Sequence, residues 1–219
     1  MTNSADELWL RQEIIDTALA MSKEGLSPGI SGNVSARHGE GMLITPSGMS
    51  YDNLIPEDIV FMDEKRKTHP GAHAPSSEWR FHMAAYAARP DAQAIVHAHS
   101  RFATALACAR KPIPAFHYMV AVAGGTDIPL ARYATFGTGA LADNVAAALE
   151  MRKACLMANH GQIACGASLE DALALARDVE ALAAQYVAVL QTGEPHILDD
   201  EEMARILERF QTYGQQDKG

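Results

Sequence analysis

The chain has 219 residues, enough for one domain with a full hydrophobic core. Its formal charge of −9 is not offset by a basic stripe, which argues against a nucleic-acid partner. No apolar stretch reaches the roughly 18 residues of a membrane span, and the acidic start MTNSADELWLRQE does not resemble an export signal. Three cysteines without C-x-x-C spacing argue against a disulfide scaffold, so we expect a protein of the reducing cytoplasm.

The first third of the chain is predicted to contain a helix followed by two strands. Residues 7–23 place Leu10, Ile14, Leu19 and Met21 on roughly one face, and Gly25 marks the end of this helix. The stretch SPGISGNVSAR is rich in Gly and Ser, and we expect a loop there. Residues 42–45 and 58–65 are typical of strands, and residues 65–75 form a loop too short to separate two domains.

The rest of the chain alternates between strands and helices. We expect helices at residues 76–89, 101–110, 140–152, 168–191 and 200–210, and a strand at residues 92–99. Residues 112–136 contain three prolines, which predicts strands broken by turns. The segments ACLMANHG and QIAC are predicted to form a buried hairpin. This alternation indicates a single α/β domain with helices covering a central sheet.

Two histidines one residue apart end the apolar run AIVHAHSR. In a strand, alternate side chains point to the same face, so His97 and His99 are expected to project side by side. That geometry suits a metal and is unusual for an apolar core, but the pair alone does not decide between a metal site and hydrogen-bonded core histidines. The remaining ligands have to come from elsewhere in the chain.

Two further residues are candidates to complete a metal site. His160 ends the strand ACLMANHG and precedes Gly161, so its imidazole is expected at a sheet end, although a plain turn residue is the alternative. Glu78 begins the helix after PSS, where the helix dipole alone favours an acid. The functional alternative is that the Glu78 carboxylate ligates the metal or transfers a proton. The other histidines are assigned to loops or helix flanks: His38, His69, His73, His82, His117 and His196.

Three short segments resemble binding sites for an anion. Each joins small residues to exposed backbone, and backbone N–H groups with hydroxyls can surround a phosphate without Lys or Arg. The segments are Ser31–Gly32–Asn33, Pro46–Ser47–Gly48 and Pro75–Ser76–Ser77. Two tyrosines are further candidates: Tyr118, for which packing is the alternative, and Tyr213, in a polar tail where it could act as a lid or reach a neighbouring subunit.

Seven segments, in chain order, resemble the class II aldolase/adducin family. They are SGNVSAR, GMLITPSGMSYDNL, PSSEWRFHMAAY, IVHAHS, IPAFHYMVAVAGG, YATFGT and NHGQIACG. Several are weak singly, but seven in register argue against a chance match. The resemblance implies one α/β domain over residues 1–219, with a largely antiparallel central sheet between helical layers. It also implies a homotetramer with active sites between neighbouring subunits.

The segments are most similar to family members that cleave L-fuculose 1-phosphate. This implies a zinc-dependent aldolase that reversibly cleaves a ketose 1-phosphate to dihydroxyacetone phosphate and a small aldehyde such as L-lactaldehyde. None of the seven segments contains a lysine, which favours metal chemistry over a Schiff base.

The resemblance also assigns roles to individual residues. One zinc ion would be bound by His97, His99 and His160, with Glu78 as a ligand in the empty site and as the proton-transferring base during turnover. The substrate phosphate would be bound by Gly32, Asn33, Ser47, Gly48, Ser76 and Ser77. The aldehyde half would be positioned, and the transition state stabilised, by Tyr118, Phe136 and Tyr213, the last in a tail of about residues 211–219 that reaches the active site.

Some departures leave the sugar preference open. Ser47 and Asn159 stand where the fuculose-type members have Thr and His, and the loop before Pro75 is one residue longer. Aldolases acting on 5-deoxyribulose 1-phosphate or 5-methylthioribulose 1-phosphate share every motif, and other members dehydrate the latter sugar. Pentulose-phosphate 4-epimerases carry Asp where Glu78 stands, which favours an aldolase. A non-catalytic adducin-like module has no need for the histidines, the acid and the phosphate segments together.

Overall fold

The computed structural model describes residues 5–65, 67–69 and 71–210. The helices are α1 (Ala5–Lys23), α2 (Trp79–Ala88), α3 (Arg101–Cys108), α4 (Gly139–Leu149), α5 (Leu169–Thr192) and α6 (Asp200–Phe210). The strands are β1 (Asn33–His38), β2 (Gly41–Ile44), β3 (Val60–Asp63), β4 (Ala94–Ala98), β5 (Leu130–Ala131), β6 (Ala154–Met157) and β7 (Gly161–Gly166). None of the helices in these ranges is long and apolar enough to cross a membrane.

The strands form one sheet in the order β3-β2-β1-β4-β7-β6-β5. All neighbouring strands are antiparallel except β5 and β6. The predicted hairpin of β6 and β7 is confirmed. The predicted α/β domain with a largely antiparallel sheet is also confirmed.

Alternation along each strand divides the core into two layers. Val34, Val96 and Ala164 face the layer that contains α1, α3 and α5. Ile95 and Ile163 face α2 and α4 on the opposite side of the sheet. Side chains at odd positions of β1 and β4 therefore point toward α2, the helix that follows Glu78.

Two sequence predictions are wrong. Residues 33–38, expected to be part of a loop, form the central strand β1, because Val34 and Ala36 are buried against the helical layer and β1 pairs on both sides. Residues 112–136 contain only the short strand β5, and Tyr118–Ala123 form a 3₁₀ helix. The Nδ1 atom of His117 accepts the Met119 backbone N–H at 3.1 Å, which caps this 3₁₀ helix.

Candidate active site

His97 and His99 lie at the carboxyl end of the central strand β4. Their Nε2 atoms are 3.0 Å apart, so the two imidazoles converge on the α2 side of the sheet as the alternation predicts. His97 is fully buried, and its Nδ1–H donates to the Gln162 carbonyl oxygen at 2.8 Å. This bond turns the Nε2 atom of His97 toward the cluster.

His160 reaches the same point from the turn between β6 and β7. Its backbone N–H donates to the Met157 carbonyl at 3.0 Å, and its ring centroid lies 4.9 Å from those of both His97 and His99. The next residue must be glycine, since a Cβ atom on Gly161 would lie 2.4 Å from the Ala98 carbonyl oxygen. This close approach of β7 to β4 carries His160 to the histidine pair.

Glu78 is the N-cap residue of α2 and the fourth member of the cluster. Its Oε1 lies 2.9 Å from His160 Nε2, and its Oε2 lies 3.2 Å from His97 Nε2. Burial by itself raises the pKa of Glu78, but the charges of the facing imidazoles outweigh burial and hold the pKa well below its usual range. The carboxylate is therefore ionised at neutral pH.

The four side chains can hold a metal ion. One ligand atom from each of Glu78, His97, His99 and His160 lies within 4.8 Å of the others. Burial, and then the charges of His97 and His160, lower the pKa of His99 to about 3, which leaves a neutral imidazole with a free lone pair. In a metal-bound state all three imidazoles would be neutral, each offering one lone pair to a divalent cation.

An open pocket of about 370 Å³ lies over this cluster. Its wall includes Glu78, His99, His160 and all six residues predicted to bind phosphate: Gly32, Asn33, Ser47, Gly48, Ser76 and Ser77. Among the described residues, no lysine or arginine lines it. An anion in this pocket would therefore be bound by hydroxyl and backbone N–H groups rather than by a basic side chain.

Backbone contacts bring the three predicted phosphate segments together. Ser47 N–H donates to the Ala74 carbonyl at 2.9 Å, and Ser76 N–H donates to the Thr45 carbonyl at 3.0 Å. These two hydrogen bonds hold the second and third segments next to each other. Gly32 has a φ of +94°, and a Cβ atom there would lie 2.7 Å from the His97 carbonyl oxygen. Only glycine therefore lets the first segment pass so close to β4.

The remaining predicted site residues lie in different parts of the molecule. Phe136 lines the pocket and is 66% exposed. Tyr118 is half-exposed on its 3₁₀ helix and lines a separate cavity of about 760 Å³ beside α6, so it does not reach the pocket of its own chain. Tyr213 lies outside the described residues. The Asn33 side chain is 3% exposed and donates one amide hydrogen to Glu78 Oε2 at 2.9 Å.

Sequence reasoning missed a group of residues behind Glu78. His82, assigned to a helix flank, is a fully buried residue of α2. Its side chain forms hydrogen bonds with Asn33 and Ser35, and Ser35 forms a further hydrogen bond with Tyr86. A signal was available, since Glu78, His82 and Tyr86 follow one another at four-residue spacing and so share one helix face.

Comparison with known proteins shows extensive similarity. The family model described as class II aldolase and adducin N-terminal domain matches residues 12–187. An L-fuculose phosphate aldolase of Escherichia coli O6:H1 is 54% identical over 94% of this chain and 95% of its own. A 5-methylthioribulose-1-phosphate/5-deoxyribulose-1-phosphate aldolase of Rhodospirillum rubrum is 54% identical over 94% of this chain and 92% of its own. A solved L-fuculose 1-phosphate aldolase superimposes with a TM-score of 0.90 at 42% identity, covering 95% of this chain and 98% of that one.

Proposed function

This chain belongs to the class II aldolase/adducin family, and we propose that it is a metal-dependent aldolase acting on a ketose 1-phosphate of the L-fuculose 1-phosphate type. Cleavage between the third and fourth carbons yields dihydroxyacetone phosphate and a small aldehyde such as L-lactaldehyde. The observation that carries this proposal is the convergence of Glu78, His97, His99 and His160 at the base of a pocket walled by three neutral phosphate-binding segments.

We propose zinc as the metal, with one ion per subunit. Three neutral imidazoles are a frequent ligand set for catalytic zinc, and Glu78 supplies a fourth ligand before substrate binds. The Gln162 carbonyl that orients His97 is the kind of supporting contact that metal-binding histidines make. When bound, the ion supplies Lewis-acid stabilisation of the charge that develops on the substrate, worth several kcal/mol.

The pocket walls would anchor the substrate through its phosphate. The groups that carry this role in the proposal are Gly32, Asn33, Ser47, Gly48, Ser76 and Ser77, all of which line the pocket. Binding energy from the non-reacting phosphate then holds the scissile bond in place beside the metal ligands and Glu78.

Two side chains would transfer the protons. Bond cleavage leaves an electron-rich third carbon; Glu78 takes up a proton from solvent and delivers it to that carbon, and in the condensation direction the same carboxylate removes that proton. Glu78 is ionised at neutral pH, as a group that removes a proton has to be. Tyr118 of a neighbouring subunit accepts the proton of the fourth-carbon hydroxyl as its own hydroxyl proton passes to solvent, while Phe136 and Tyr213 position the aldehyde half.

The position of Tyr118 supports an assembly with active sites between subunits. Tyr118 is half-exposed and does not line the pocket of its own chain, so in this proposal a homotetramer brings it to a neighbour's pocket. The three free cysteines, Cys108, Cys155 and Cys165, support action in the reducing cytoplasm.

A second candidate function has specific support. The Rhodospirillum rubrum relative named for 5-methylthioribulose-1-phosphate and 5-deoxyribulose-1-phosphate is as similar as the fuculose enzyme. Ile30, Tyr133 and Phe136 line the pocket and are all more than half exposed, so they offer apolar surface to a deoxy or methylthio group. We rank the fuculose-type substrate first and these 5-modified pentulose phosphates second.

Metal removal tests the proposal. The protein is stripped with a chelator, its metal content is measured, and dihydroxyacetone phosphate release is followed from fuculose, rhamnulose, 5-deoxyribulose and 5-methylthioribulose 1-phosphates. We expect activity to disappear with the metal and to return with zinc, with fuculose 1-phosphate cleaved fastest. Faster cleavage of a 5-modified pentulose phosphate selects the second candidate, and full activity without metal contradicts the mechanism.

A further inference from the structure

A buried polar network lies between β1 and α2, behind Glu78. Asn33 and Ser35 occupy alternate positions of β1, so both point toward α2. Glu78, His82 and Tyr86 are spaced by four residues, so they share the face of α2 that looks back at β1. Two periodicities in the sequence thus set a row of polar strand residues against a row of polar helix residues.

The network is continuous from Glu78 to Tyr86. Asn33 Nδ2 donates to Glu78 Oε2 at 2.9 Å, and Asn33 Oδ1 accepts from His82 Nε2. Ser35 Oγ lies 2.8 Å from His82 Nδ1 and 2.9 Å from the Tyr86 hydroxyl. None of Asn33, Ser35, His82 and Tyr86 is more than 5% exposed. Water therefore does not compete for these bonds.

The ionised Glu78 sets the direction of every bond in this network. A carboxylate only accepts, so Asn33 must turn its NH₂ group to Glu78 and its oxygen to His82. His82 must then carry its proton on Nε2, which leaves Nδ1 to accept the Ser35 hydroxyl. Ser35 in turn accepts from Tyr86. Only one arrangement satisfies all the groups.

A buried polar network costs folding free energy, so it is expected mainly where it has a function. Replacing such a group by apolar side chains of similar size is often neutral or stabilising. The neighbouring residues Phe81 and Ala85 show that the same part of α2 accommodates apolar packing. The network is therefore better explained by what it does to Glu78 than by stability.

We propose that His82 is a positioning residue for Glu78, acting through Asn33. His82 holds the Asn33 amide so that its NH₂ group binds Glu78 Oε2, which keeps the carboxylate turned toward His97 and His160. Ser35 and Tyr86 hold the His82 ring in turn. This inference rests on the proposed role of Glu78 as metal ligand and base.

Three substitutions at His82 test whether its Nε2–H acts by donating a hydrogen bond to Asn33. His82→Leu removes both ring nitrogens; we expect kcat to fall about 10- to 100-fold, with little change in KM, because Glu78 loses its orientation. Glutamine places its amide near the position of Nε2, whereas asparagine reaches only to Nδ1. His82→Gln should therefore restore much of kcat and His82→Asn should not. Val145→Ala, a fully buried change in α4, which packs on α2, is the control for loss of packing and should retain kcat.

A double-mutant cycle separates positioning from structural damage. If His82 acts through Glu78, the His82→Leu effect should vanish in a Glu78→Gln background, since no carboxylate remains to be oriented. Equal losses in the two backgrounds overturn the inference. Equal kcat for His82→Gln and His82→Asn also overturns it, and this comparison holds even if His82→Leu fails to fold.

Zinc affinity, measured by chelator competition, gives a readout that does not depend on turnover. It should fall about 10- to 100-fold in His82→Leu and stay unchanged in Val145→Ala; unchanged affinity in His82→Leu counts against the inference.

The proposed role of Glu78 and the proposed role of His82 are contradicted by different results. Normal turnover in Glu78→Gln alone removes the proposed role of Glu78, whereas an impaired Glu78→Gln with a normal His82→Leu removes only the role of His82.

Discussion

At the scale of single residues, burial controls protonation around the site. His82 has no exposed surface, and burial, followed by the charge of His97, lowers its pKa to about 3. The imidazole is therefore neutral in the folded protein at every pH near neutrality, as its hydrogen bonds to Asn33 and Ser35 require. In the unfolded chain the same group titrates near 6.5.

This difference predicts sensitivity to acid. Between pH 6.5 and 3 the unfolded state binds a proton at His82 that the folded state does not, so stability is present above 6.5 and is lost as pH falls. At pH 5 the loss from this residue is about 2 kcal/mol. Denaturant unfolding of the metal-free protein at pH 7 and pH 5 measures this loss of unfolding free energy. His82→Gln should lose less stability than the wild type, while Val145→Ala should keep the full slope.

At the scale of elements, the long helix α5 supports the strands that carry the histidines. It packs against β4 and β7, and Gln162 on β7 donates from its side chain to the Ala176 carbonyl within α5 at 3.1 Å. Ser168 caps the start of this helix, because its Oγ accepts the Asp171 backbone N–H at 3.1 Å. The strands that carry the histidines thus pack on a helix whose first turn is capped by Ser168.

Loss of this cap should lower stability without changing the chemistry. We expect Ser168→Ala to reduce the free energy of unfolding by about 1 kcal/mol, because an N–H group of the first turn loses its acceptor. Ser168→Thr keeps a hydroxyl acceptor and serves as the matched control. Chemical denaturation measures the change, and kcat should be the same in all three proteins. A drop in kcat for Ser168→Ala would show that α5 affects the site more directly.

At the scale of the whole molecule, the proposed active site needs more than one chain. Three of the proposed metal ligands and the proposed phosphate-binding residues line one pocket, while Tyr118 lines a different cavity beside α6. The proposed tetramer would unite the Tyr118 of one subunit with the Glu78 of the next.

Mixing two inactive variants tests this arrangement. Glu78→Gln and Tyr118→Phe should each reduce turnover at least about 100-fold, the usual contribution of a proton-transferring group. After joint unfolding and refolding, random hybrid assemblies should regain activity at about a quarter of their sites, where both native residues meet. Wild-type protein refolded alone is the control. A mixture no more active than its parents, from a protein that refolds well, contradicts sites shared between subunits.

The sequence predicted which side chains lie close together better than it predicted the elements that carry them. The prediction that His97 and His99 project side by side is confirmed, because strand alternation is a local rule that does not depend on the rest of the fold. The strand β1 was missed because its polar, Gly-flanked sequence is stabilised by pairing with both β2 and β4, which no local pattern reveals. The 3₁₀ helix at Tyr118–Ala123 was missed for a related reason, since three prolines nearby suggested broken strands.

The sequence by itself determined the α/β class, the family and the residue types of a cluster that can hold a metal, because periodicity and motif order are properties of the chain alone. Only the tertiary structure decided that His160 and Glu78 meet the histidine pair, that Tyr118 lies elsewhere, and that His82 bonds to Asn33. These facts depend on contacts between residues tens of positions apart. Such contacts are set by how the sheet and its two helical layers pack, which is a property of the whole fold.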